Sequence, residues 1–208
     1  LRALMQLFAI IARPGSNRED RIRVVESFLL EQLNKELVDE YLQVFDKYYK
    51  EYQEKHRTKK KMKKAIALGS VKVLRICTEI NKELTTQQKF VVLIQLLEFI
   101  KADTSQISQQ EREFVETVSD TFKISRKEFD LLDIFLLNDI ESIPDSPNIL
   151  LIDSNEESPS LDSKHLHADS LRGQIRVLNI ESVNLQIMRF LGENELYLNG
   201  QLIQQDKV

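Results

Sequence analysis

A chain of 208 residues is long enough for one or two domains, and its 42% hydrophobic and 30% charged content suits a folded soluble protein and excludes a disordered one. With 5 Gly, 4 Pro and no Trp, the composition favours helices over a turn-rich β fold. A net charge of −4 argues against general nucleic-acid binding, and a single cysteine, Cys77, excludes both an internal disulfide and a cysteine-based zinc site and points to a reducing compartment.

The first apolar set is Leu1, Leu4, Leu7, Phe8 and Ile11, which fall on one helical face. It reads as a core helix, because no charged–apolar–small pattern of a signal peptide follows it. Arg13-Pro14-Gly15 ends that helix. Ser16-Asn17-Arg18-Glu19 is a capping box, in which a Ser oxygen and a Glu three residues on satisfy free N–H groups at a helix start. The helix it opens carries Ile22, Val25, Phe28, Leu29 and Leu33. Asn34 caps a third, with Leu37, Tyr41, Leu42, Phe45 and Tyr48 at helical spacing. A basic run, His56 to Lys64, precedes a fourth helix that buries Ile66, Val73, Leu74, Cys77 and Ile80. Thr85-Thr86-Gln87-Gln88 caps a fifth, with Phe90, Val91, Ile94, Leu97 and Ile100 inward. The apolar run Phe90–Ile94 is broken by Gln95 and Glu98, far short of the roughly 20 apolar residues of a membrane span. Ser108–Glu111 caps a sixth helix with Phe114, Val115, Val118 and Phe122, and Ser125–Glu128 a seventh with Phe129, Leu132, Phe135 and Leu136.

The order helix, loop, cap, helix, cap occurs twice. The caps at Ser16 and Asn34 are 18 residues apart, and those at Ser108 and Ser125 are 17 apart. Two related halves around one core explain the spacing; so would any bundle with short loops. After Leu137 the character changes. Pro144, Pro147 and Pro159 stand among Ser, Asp and Glu, and Ile149-Leu150-Leu151-Ile152 reads as a short strand within an acidic linker over 141–170. From 171 to 208 the period becomes two, and Asn199-Gly200 between Leu196-Tyr197-Leu198 and Gln201-Leu202-Ile203 signals a hairpin. Three or four strands without a partner layer do not bury a face, so this segment reads as the start of a second, truncated β domain. The expected architecture is therefore mainly α: a bundle of about seven helices over 1–140, a linker, and a short hairpin-rich segment. A first residue other than Met, and an end at Asp206-Lys207-Val208 in mid-pattern, are what a piece of a longer polypeptide would show.

Chemistry-bearing motifs are few. No phosphate-binding loop, dinucleotide fingerprint or nucleophile elbow occurs. Cys77, on an apolar helical face, reads as a buried structural thiol. His165 and His167 lack companions that would complete a metal set and read as linker residues. The richest set of oxygen donors is Asp103 in a loop and Glu111 in the first turn of the next helix, with Ser108 and loop carbonyls, chemistry that suits Ca²⁺ or Mg²⁺. Equally, Glu111 is the third position of a capping box. Arg57, Lys59, Lys60, Lys61, Lys63 and Lys64 offer a contact for an anionic lipid surface, or else a solvated helix end; without interleaved aromatics they offer no base stacking.

Ala102-Asp103…Ile107-Ser108-x-x-Glu111, followed by Phe122-Lys123-Ile124-Ser125-x-x-Glu128-Phe129, resembles the TerB-like tellurite-resistance helical family over roughly residues 1–138. The resemblance implies that acidic residues of two such loops approach each other and bind a divalent metal, which carries over to Asp103 and Glu111. Here Thr104 stands where the family has Gly, one more residue precedes Ile107, and Arg13-Pro14 stand where Ala-Asp would lead the first half. The whole chain, from Leu4–Arg21 to Leu171–Gly200, is similar to the front end of bacterial ABC-type transporter ATP-binding polypeptides, in which a TerB-like domain precedes a small forkhead-associated-like β domain. That resemblance implies a non-catalytic accessory or regulatory module on the cytoplasmic side of the inner membrane. Its partners would be its own downstream ATPase and membrane domains or another protein, as a monomer or an oligomer, with ATP and Mg²⁺ bound only outside this chain. No cofactor other than a divalent cation, and no nucleic acid, is expected of the chain itself.

Overall fold

The computed structural model describes residues 1–12, 18–30, 33–56, 62–101, 107–137, 148–153, 174–191, 195–199 and 201–205. The chain divides into two compact units, Leu1–Ile140 and Glu141–Val208.

The first unit is all helical: α1 (Arg2–Ile11), α2 (Arg18–Leu30), α3 (Lys35–His56), α4 (Met62–Glu83), α5 (Thr86–Lys101), α6 (Gln109–Phe122) and α7 (Arg126–Leu137). Local chemistry sets the helix ends. At α3 the Leu37 amide donates to Asn34 Oδ1 at 3.0 Å. At α5 Thr85 and Gln88 exchange side-chain and backbone bonds, and Ser125 and Glu128 do the same at α7. Helix α6 ends on Lys123, left-handed at φ 60°, with the Ile124 amide donating back to the Ser119 carbonyl at 3.1 Å. That is the wrap of a Schellman stop, and it tucks Ile124 into the core.

Helix α5 is the axis of the unit. It packs against α1, α2, α6 and α7, and every residue from Val92 to Ile100 is buried. Over that stretch the helix has no solvent stripe to leave polar, which explains its near-continuous apolar sequence. Around it Phe8 lies 4.9 Å from Phe99, Phe45 meets Phe99 edge-on at 6.3 Å, and Phe8 meets Phe28 at 5.9 Å. These rings join α1, α2, α3 and α5 into one aromatic centre. Gln6 donates from Nε2 to the Tyr48 hydroxyl at 2.8 Å, adding a polar tie between α1 and α3.

One expected helix face is rotated, and a second loses one expected member while Val73, Cys77 and Ile80 are buried as expected. In α3 the buried side is Val38, Phe45, Tyr49 and Tyr52, while Leu37 is exposed. In α4 it is Val73, Ile76, Cys77 and Ile80, while Leu74 points to solvent. Both helices offered more apolar positions than one face can bury, and the packing selected among them. Ser16 of the expected cap, with the rest of residues 13–17, lies outside the described residues.

The second unit is a five-stranded antiparallel meander in the order β1 (Ile149–Asp153), β2 (Gln174–Ile180), β3 (Leu185–Leu191), β4 (Glu195–Leu198) and β5 (Gln201–Gln205). Strand β1 belongs to this sheet, Leu150 opposite Val177. Between β4 and β5, Asn199 takes φ 47°, and its side-chain oxygen accepts from the Gln186 amide at 2.8 Å. One face of β2 and β3 is buried: Ile180 stands opposite Leu185 and Leu178 opposite Ile187. The third row of that face is Arg176 opposite Arg189, 1% and 8% exposed. Like charges opposed across two strands are unfavourable by themselves, and both arginines have further interactions within the structure.

Candidate functional site at the loop end of the helical unit

The C-terminal ends of α1 and α5 and the N-terminal end of α2 converge where Phe8 meets Phe99. Arg21, in the second turn of α2, is 1% exposed. It donates from a guanidinium nitrogen to the Phe99 carbonyl, and its Cζ lies 4.4 Å from the centre of the Phe99 ring. Both contacts offset the cost of burying a guanidinium, several kcal/mol after relaxation. The carbonyl it takes is in the last turn of α5, where carbonyls lack helical donors and the helix dipole favours a cation. Sequence and packing thus put a positive group at the one end of α5 that stabilises it.

Three further polar residues are buried nearby along the chain: Gln95 and Glu98 in α5, and Glu111 in α6. Glu98 and Glu111 bracket the segment 102–106 in sequence. Glu111 Oε2 accepts from the Ser108 amide at 2.9 Å and from Ser108 Oγ at 2.7 Å, while Ser108 Oγ accepts from the Glu111 amide at 3.3 Å. That is a complete capping box, so one carboxylate oxygen of Glu111 is committed to starting α6. Both Glu98 and Glu111 have further interactions within the structure.

The other sequence candidates are placed as follows. Asp103 lies outside the described residues, as do His165 and His167. Among the described residues no three His, Cys, Asp or Glu side chains gather as a metal site. Arg57, Lys59, Lys60 and Lys61 also lie outside; Lys63 and Lys64 fall on the first turn of α4, but their side chains are not among those described. Cys77 is buried, and burial pushes its thiol up to about 12, so it stays protonated and poorly nucleophilic at neutral pH. No helix of the described residues is long and apolar enough to cross a membrane.

Two features were not singled out in the sequence. One is Arg21, whose partner is 78 residues away. The available signal was on the partner side: Gln95 and Glu98 interrupt a run that is otherwise apolar. The second is a groove of about 870 Å³ lined mainly by α1, α4 and α5, with Leu4, Phe28, Tyr41, Ile80, Gln88 and Val92 among its lining residues. Its lining includes Arg2 and Lys82 but also Glu79 and Glu83, so charge does not select a ligand for it.

Residues 2–134 match the family model described as tellurite resistance protein TerB. No curated protein and no solved structure matches the chain.

Proposed function

Because the chain belongs to the tellurite resistance protein TerB family, we propose that its helical unit is a non-catalytic accessory module that binds and positions while chemistry is done elsewhere. The setting we propose is the cytoplasmic front of an ABC-type transporter ATP-binding polypeptide, on the strength of the sequence likeness from Leu4 through Gly200. One observation carries the non-catalytic reading: the buried polar groups at the loop end are built into the scaffold. Arg21 holds the end of α5 and Glu111 holds the start of α6. Groups engaged this way fix the geometry of a binding end; they are not poised to exchange protons with a substrate. The purified chain, incubated with ATP and Mg²⁺, should release no phosphate, and turnover by this chain would overturn the reading.

A second reading is a divalent-cation sensor at the same end. The observation that favours it is the pair of buried carboxylates, Glu98 and Glu111, flanking the segment that contains Asp103. Hard oxygen donors of this kind suit Ca²⁺ or Mg²⁺. Calorimetric titration with Ca²⁺, Mg²⁺ and Zn²⁺ tests it. Heat that disappears in Asp103→Ala supports the sensor; silence in the unmodified chain removes it.

A further inference from the structure

We draw no further inference here: the strongest candidate, the groove of about 870 Å³ lined mainly by α1, α4 and α5, is a largely apolar surface whose Arg2, Lys82, Glu79 and Glu83 select no ligand by charge, and nothing in the structure shows what covers it.

Discussion

Replacing Phe99 by Ala should test the joint on which the helical unit is built. Phe99 is fully buried, stacks with Phe8 at 4.9 Å, meets Phe45 at 6.3 Å, and lies under the Arg21 guanidinium at 4.4 Å. Truncating a buried Phe costs about 3–5 kcal/mol through lost transfer energy and the cavity left behind. Here two aromatic pairs, each about 0.5–1.5 kcal/mol beyond area, and one desolvated cation–π contact are lost together. Arg21 keeps the Phe99 carbonyl but loses the ring that shields it. We therefore expect the upper end, about 4–5 kcal/mol, a large share of the roughly 5–15 kcal/mol that stabilises a domain. Urea unfolding followed by helical circular dichroism reports on this unit selectively, because the second unit is a sheet. Leu74→Ala, at a solvent-facing position, should stay within about 0.5 kcal/mol and serves as the control. A Phe99→Ala loss below about 2 kcal/mol, or one equal to the control, would refute the central role given to this ring.

Ser108→Ala removes the acceptor for the Glu111 amide and a donor to its carboxylate, and should cost about 1 kcal/mol by the same urea measurement; no measurable change would mean that the cap observed at α6 contributes nothing. Cys77 should resist a thiol-labelling reagent in the native protein and react quickly once unfolded, whereas fast native labelling would contradict its burial. Its raised thiol pKa fixes the sign of a pH effect. The contribution is fully present below the unfolded value of roughly 8.5 and declines as pH rises toward about 12, because the unfolded chain loses that proton first.

Features set by neighbours three or four residues apart are legible in the sequence. The caps at Asn34, Thr85, Ser108 and Ser125 each join a residue to one three places on, and all four form. The turn at Asn199 is legible for the same reason, since Asn accepts the positive φ it adopts there. Faces chosen by packing are less so. In α3 the residues Tyr41 and Tyr48 sit at the right spacing, yet the bundle buries Tyr49 and Tyr52, about one residue's rotation away. The periodicity of helix α5 points to one apolar face, although the fold buries every residue from Val92 to Ile100. The Arg176–Arg189 opposition is invisible in the sequence because register between strands is a non-local choice. At the loop end, Glu111 can be found from its cap, while Arg21 cannot, because the carbonyl it serves comes from the other half of the bundle.

The accessory role is tested most directly by the extent of the native polypeptide, from peptide mapping and intact mass of material isolated from its source cells. The role predicts a polypeptide that continues well past Val208 into a phosphate-binding loop and apolar membrane spans. A native polypeptide ending near Val208 would contradict it and leave the TerB unit to act by itself.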